Sequence, residues 1–191
     1  MIAASIVGAT GYTGAILTDI LAEHPGVRLQ ALTSTSYAGR AVGEVFPHLW
    51  VAGEYVPYSL DAARGSDVAF VCYPHAEAYG VVSELVDAGC KVIDLSADFR
   101  LKAVDDYRAW YGFDHPRGDL VAEAVYGLPE VYRDQVAKAR VVANPGCYPT
   151  GMLLGLLPAA GRIDGGVIVS RPSAPFGATS SSMGITPPQR W

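Results

Sequence analysis

Two stretches of the chain carry residue types that could do chemistry. The first is Gly8-Ala9-Thr10-Gly11-Tyr12-Thr13-Gly14, whose glycines recur as G-x-x-G-x-x-G. Glycine permits a tight turn and close backbone approach to a diphosphate, and the free N–H groups that open a helix stabilise its negative charge. The first glycine is displaced by one position from the common G-x-G-x-x-G spacing, so a variant turn is expected; a plain glycine-rich strand-to-helix turn is the alternative. The second stretch is Asn144-Pro145-Gly146-Cys147-Tyr148-Pro149-Thr150. A cysteine opening a helix meets converging N–H groups and the positive end of the helix dipole, which favour the thiolate and make a nucleophile at neutral pH. Gly146 lets a substrate approach the sulfur, and Pro149 fits a first helical turn, where no N–H partner is lost. The other state open to a free cysteine is a small buried hydrophobe, expected for Cys72 inside an apolar run and Cys90 at a helix-to-strand turn.

The second strand bears on which dinucleotide the turn would hold. An NAD site usually places Asp or Glu about 20 residues beyond the glycine turn, on the ribose 2′-hydroxyl. No carboxylate stands there; the residues are Thr33, Ser34, Thr35 and Ser36, followed by Arg40. The Ser34 and Ser36 hydroxyls and the Arg40 guanidinium suit a 2′-phosphate, which favours NADP. A solvated hydroxyl-rich loop with a surface arginine is the alternative. The expected cofactor contacts are therefore Gly8, Thr10, Gly11, Tyr12, Thr13, Gly14, Ser34, Ser36 and Arg40. A nicotinamide beside a nucleophilic Cys147 suggests acyl chemistry through a thioester or thiohemiacetal, with hydride passing between cofactor and acyl carbon.

Elements that could position these residues follow from the apolar pattern. Ile2 to Val7 reads as a strand, with a helix from Thr13 onward through Ile16, Leu17, Ile20 and Leu21, stopped at His24-Pro25-Gly26. Val27 to Thr33, Val68 to Cys72, Lys91 to Leu95 and Arg140 to Ala143 read as further strands. Ala78, Val81, Val82, Leu85 and Val86 mark a helix closed by Gly89, and Met152 to Leu157 an apolar helix ended by Pro158 and Gly161. Ser96 to Glu130 has weak periodicity and is expected to be irregular, with one short helix near Val104 to Tyr111 and a structural turn at Tyr126 to Glu130. Alternating strands and helices predict an α/β protein with a Rossmann-like, doubly wound, mostly parallel sheet. The expected organisation is a dinucleotide domain over residues 1–146, the start of an α+β catalytic domain over 147–169, and an irregular tail over 170–191.

Composition narrows the function classes. The chain has 191 residues, 50% hydrophobic and 17% charged, enough for one cored domain and part of a second, and too apolar for disorder. Nineteen acidic against 14 basic residues leave a net charge of −5 with no Lys/Arg cluster, which excludes a phosphate-backbone footprint and argues against nucleic acid as a partner. No apolar run approaches the ~18 residues of a membrane span, and no basic segment precedes an apolar one at the N-terminus. Three cysteines give no disulfide framework. A soluble cytoplasmic protein is expected, with no metal site.

Five segments resemble N-acetyl-gamma-glutamyl-phosphate reductase, a family of the semialdehyde dehydrogenase superfamily. They are Gly8 to Gly14, Tyr73-Pro74-His75, Val92 to Arg100, Tyr126 to Glu130, and Asn144 to Thr150, the last being the most specific. The resemblance covers about residues 1 to 169. It implies arginine biosynthesis: NADPH reduces N-acetyl-glutamyl phosphate to the semialdehyde, with Cys147 displacing phosphate to form a thioester. It places Pro74 and His75 at the nicotinamide end. The family's catalytic histidine lies in its second domain, downstream of this chain, so His75 lines the pocket, and His24, His48 and His115 are turn or surface residues. Arg100 and Asn144 are candidate substrate contacts, although Asp94, Asp98 and Arg100 could equally form a buried hydrogen-bond network.

Members of that family extend well beyond this length, and Ser170 to Trp191 matches nothing in them. Truncation or a shifted reading frame would produce such an end, removing the acid/base histidine, most substrate contacts and the sheet of the expected homo-oligomer, and leaving this chain inactive alone. Two other functions stay open. One is a related reductase acting on aminoadipyl or aspartyl phosphate. The other is a non-catalytic NADP-binding module.

Overall fold

The structure is a computed structural model that describes residues 1–162. Residues 163–169 of the expected catalytic-domain start and the expected tail over 170–191 lie outside the described residues. Met1–Thr150 forms one compact unit, and the residues from Gly151 onward fall outside it.

Six strands form one parallel sheet: β1 (Ile2–Val7), β2 (Val27–Leu32), β3 (Val68–Val71), β4 (Lys91–Asp94), β5 (Val125–Tyr126) and β6 (Val141–Ala143), in the order β2-β1-β3-β4-β6-β5. The helices are α1 (Tyr12–Ala22), α2 (Val42–Val45), α3 (Ala78–Asp87), α4 (Asp105–Tyr111), α5 (Gly118–Glu123), α6 (Pro129–Lys138) and α7 (Cys147–Leu156), with a 3-10 turn at Leu157–Arg162. The central strands read as unbroken apolar runs because both faces are covered. In β1, Ala4 and Ile6 join one core with Leu21, Leu32, Val42, Leu49 and Tyr55. Val7 joins the opposite core with Val71, Val82, Leu85, Val92, Phe99 and Tyr107. Burial of each large apolar side chain contributes about 1.5–3 kcal/mol, which secures the strand register.

From β1 the chain moves outward to β2, then returns to β3 on the other side, so the strand order reverses between β1 and β3. Ligands of open α/β sheets bind at such a crevice, beyond the carboxyl ends of the strands. Here those ends are level: Val7 pairs with Val71, Val71 with Asp94, and Asp94 with Ala143. The turns after β1, β3, β4 and β6 therefore leave one edge of the sheet.

α1 buries Gly14, Ala15, Thr18 and Leu21, while Ile16 and Ile20 are exposed. Its contact with the sheet thus uses mostly small residues. Ser96 to Glu130 is more regular than its weak periodicity predicts. α4 falls where the short helix was expected, but α5 and β5 are also present, and α6 follows. Two-residue β5 is too short to show a period, α5 buries only Leu120 and Val121, and α6 buries nothing and is kinked at Tyr132. Tyr126 is accordingly in the edge strand beside β6, and the turn begins only at Gly127.

His115 also departs from expectation, because it is 5% exposed rather than on the surface. The rings of Phe99 and Tyr107 lie 4.9 Å from its own, and Tyr79 and Phe113 complete the enclosure. Its Nδ1 accepts the Arg117 amide at 3.2 Å, and burial lowers its pKa. His24 and His48 are exposed as expected, with His24 Nδ1 accepting the Gly26 amide inside its turn. Among the described residues no helix is long and apolar enough to cross a membrane.

Candidate active site at the strand ends

The glycine turn opens the site at β1. Gly8 has φ +80°, and a Cβ there would lie 3.0 Å from both the Cys72 carbonyl oxygen and the Tyr73 ring. A Cβ on Gly14 would lie 2.3 Å from the Gly8 carbonyl oxygen, so this glycine lets α1 close onto the turn. Gly11 is different. Its φ of −72° and ψ of 165° suit any residue, and the nearest atom to a Cβ there is the Gly8 carbonyl oxygen at 3.7 Å. The protein itself does not need glycine at that position, and the space stays open beside a helix that starts without a side-chain cap. An open N-terminus with a bare backbone approach is what a diphosphate requires, so these residues fit a dinucleotide.

The turn is fastened to the end of β2. The Ala9 amide donates to the Thr33 carbonyl at 2.8 Å, the Gly8 amide to the Thr33 hydroxyl at 3.3 Å, and the Thr10 and Ser34 hydroxyls bond at 2.8 Å. Ser34 also accepts the Tyr37 amide at 3.1 Å and is 3% exposed, so its hydroxyl sits in this joint instead of facing solvent. Ser36 and Arg40 are exposed at the same loop. The Arg40 guanidinium lies 5.8 Å over the Tyr37 ring, and its Nε is 3.6 Å from Glu44. Tyr12 and Thr13 are exposed on the first turn of α1.

Pro74 and His75 are exposed in the turn after β3. Ala76 follows at φ +64°, a left-handed conformation costly to a residue with a Cβ. Asp98 holds this turn from the β4 side. Its Oδ1 accepts the Ala76 amide at 2.8 Å, and its Oδ2 accepts those of Ala78 and Tyr79 at 3.1 and 3.0 Å. The N-terminus of α3 is thus filled by the protein's own carboxylate, whereas that of α1 is open. Asp98 is itself anchored. Its amide donates to Ser96 Oγ, which donates to the fully buried Asp94 carboxylate at 2.7 Å, and the Ser96 amide donates to the same carboxylate. Burial pushes the Asp94 carboxyl up to about 6.

Cys147 is exposed as the first residue of α7. The preceding turn is braced on two sides: the Asn144 amide donates to the Asp94 carbonyl at 2.8 Å, and Arg100 Nε donates to the Asn144 carbonyl at 2.7 Å. Arg100 Nη2 donates to the Leu95 carbonyl at 2.9 Å, and a Cβ on Gly146 would lie 3.4 Å from Nη1. Asn144 Nδ2 turns onto the Pro145 carbonyl. Arg100 and Asn144 therefore meet within the turn, and Asp94 and Asp98 are joined through Ser96 in a buried network, while half-buried Arg100 bonds the Leu95 and Asn144 carbonyls instead. Gly8 and Asn144 leave strands three places apart in the sheet, roughly 14 Å at the usual strand spacing. Burial, with the Asp94 charge adding to it, pushes the Cys72 thiol up to about 12, and burial raises Cys90. Thr33 and Ser96 also belong to the joints of this site, and the Ser-x-Asp spacing after a strand is the local signal of the latter.

Residues 3–139 match the family described as semialdehyde dehydrogenase, NAD binding domain. Among curated relatives, the N-acetyl-gamma-glutamyl-phosphate reductase of Dehalococcoides mccartyi strain 195 is 50% identical over 82% of this chain and 45% of its own length. The enzyme of the same name from Pseudomonas fluorescens is 47% identical over 83% of this chain and 47% of its own. The chain thus spans about half the length of the curated relatives it matches. Of solved structures, aspartate semialdehyde dehydrogenase II of Vibrio cholerae, complexed with ASA, superposes with a TM-score of 0.59 at 19% identity over 85% of this chain and 47% of that one. The Candida albicans aspartate semialdehyde dehydrogenase with NADP gives 0.58 at 17% identity, covering 85% and 47%. These likenesses establish the parallel Rossmann-like sheet, and the match over residues 3–139 establishes that the chain belongs to the semialdehyde dehydrogenase family of NAD-binding domains.

Proposed function

We propose that this chain is the dinucleotide-binding and nucleophile-bearing part of an NADPH-dependent reductase that converts N-acetyl-glutamyl 5-phosphate to N-acetyl-glutamate 5-semialdehyde. The observation that carries this reading is the level row of strand ends, which sets an open glycine turn and an exposed Cys147 on one edge of one sheet. The names of the relatives supply the substrate. The amides of Tyr12, Thr13 and Gly14 at the start of α1 would hold the diphosphate, with Gly11 leaving room for its approach and Thr10 beside them. Ser36 and Arg40 take the 2′-phosphate, and Ser34 holds the loop that presents them. Pro74 and His75 line the nicotinamide end. When bound, the cofactor supplies the hydride.

The Cys147 sulfur attacks the acyl carbon; a C–S bond forms, the C–O bond to phosphorus breaks, and phosphate leaves with the bonding pair. Arg100 and Asn144 hold the turn from which the sulfur attacks. In this reading residues 1–146 are the nucleotide domain and residues from 147 open a catalytic domain.

The test uses NADPH and N-acetyl-glutamyl phosphate with this chain. NADPH is expected to bind, and the acyl phosphate alone is expected to release phosphate and leave an acyl group on Cys147, found by peptide mass. Acylation persisting in Cys147→Ser overturns the nucleophile assignment. NADPH binding without any acylation of Cys147, both in this chain and in one extended by the remaining half of a relative, replaces the reductase with a nucleotide-binding module.

A further inference from the structure

We propose that the segment Leu95–Arg100 is the positioning element of this site, with Asp98 setting the turn after β3 and Arg100 setting the turn that carries Cys147. The proposal rests on the dinucleotide reading above and adds two positioning residues to it. Asp98 is fully buried, yet all three of its amide partners belong to the turn and helix that follow β3. Ala76 keeps its left-handed conformation while its amide is tied to that carboxylate, and His75 is its immediate neighbour. Two residues along the same segment, Arg100 reaches the opposite way. It bridges the Leu95 and Asn144 carbonyls with two nitrogens of one rigid fork, tying the β6 turn to the β4 turn. Ser96 joins Asp98 to buried Asp94, and Arg100 takes its hold on the Leu95 carbonyl of the same segment. One segment between the two turns thereby fixes how far the nicotinamide-side loop stands from the thiol. Effective reaction demands that such separations be held to within a fraction of an ångström.

Asp98→Asn turns one of the two accepting oxygens into an NH2 donor, so the three amides cannot all keep their acceptor, and Arg100→Lys replaces the fork with a single ammonium. The full 191-residue chain is titrated with NADPH and with 2′-phospho-ADP-ribose, which lacks the nicotinamide. The rate at which iodoacetamide alkylates Cys147 is followed by peptide mass, with and without NADPH. Asp98→Asn is expected to weaken NADPH about tenfold while changing 2′-phospho-ADP-ribose by less than about twofold. Arg100→Lys is expected to keep both affinities but to change the Cys147 alkylation rate severalfold and abolish its protection by NADPH. Equal loss of both nucleotides in Asp98→Asn, or wild-type alkylation and protection in Arg100→Lys, overturns the proposal. If Asp98→Asn does not fold, Ser96→Ala, which frees the Asp98 amide, must show the same difference between nucleotides. A wild-type chain that binds neither nucleotide overturns the dinucleotide reading itself, an outcome distinct from either of these.

Discussion

The hydroxyl of Thr10 lies 2.8 Å from that of Ser34, joining the glycine turn after β1 to the loop after β2. The bond is part-buried, and Ser34 accepts the Tyr37 amide as well, so its removal leaves polar groups without partners. Ser34→Ala should cost about 1–3 kcal/mol of unfolding free energy in urea denaturation. Thr10→Val should cost less, and the two losses should fall short of additivity by about 1 kcal/mol in a double-mutant cycle. Additive losses would mean that the hydroxyls do not act as a pair.

The glycines of the same turn separate fold from binding. Gly14→Ala drives a Cβ into the Gly8 carbonyl and should cost about 3 kcal/mol in stability. Gly11→Ala meets open space in an ordinary backbone conformation and should leave the unfolding free energy within about 0.5 kcal/mol of wild type. If the diphosphate approaches this turn as proposed, the new methyl group stands in its way and NADPH affinity should fall about tenfold by fluorescence titration. Unchanged affinity would remove Gly11 from the binding surface.

Much of this arrangement is legible in the chain itself, and the exceptions have two causes. β1, β3, β4 and β6 are short apolar runs because both their faces are buried, and α3 shows its period because one face packs on the sheet. The glycine turn and the cysteine turn are local motifs that can be read without knowing what lies across the sheet. Ser34 and His115 cannot. The bonding partner of Ser34 comes from 24 residues earlier, and the rings that bury His115 come in part from Tyr79 and Phe99, distant in sequence. Arg100 likewise gives no local sign that it holds a carbonyl 44 residues on. β5 and α6 escape for a different reason: one is too short for a period, and the other buries no side chain.

Arg40 is the exposed cation of the β2 loop, and its backbone is fixed by bonds to Tyr37 and Tyr55. A guanidinium held at the ribose end discriminates between dinucleotides through the 2′-phosphate alone. Arg40→Ala should weaken NADP by about tenfold to a hundredfold and leave NAD unchanged. The NADP preference of the wild type should also shrink as salt rises, since Arg40 is solvent-screened. Equal affinities for the two nucleotides in the unaltered chain would exclude a 2′-phosphate role for this residue.

Two buried titratable groups make opposing contributions to stability in mildly acid solution. His115 has its pKa lowered by burial, and its Nδ1 accepts the Arg117 amide, so protonation there breaks a bond. The unfolded chain takes up that proton near pH ~6.5, and the contribution of His115 is full above this value and is lost as pH falls. Asp94 runs the other way. Its carboxyl titrates at about 6 in the folded chain but near ~3.9 when unfolded, so the folded state binds the extra proton and loses stability as pH rises through this window. Urea midpoints between pH 4 and 7 should separate the two. His115→Phe should remove the part of the slope that rises with pH, leaving a midpoint that falls toward neutrality. Asp94→Asn should remove the falling part, so that its midpoint climbs from pH 4 to 7 more steeply than that of the wild type. Parallel pH profiles for the wild type and both variants would show that neither group titrates differently on folding.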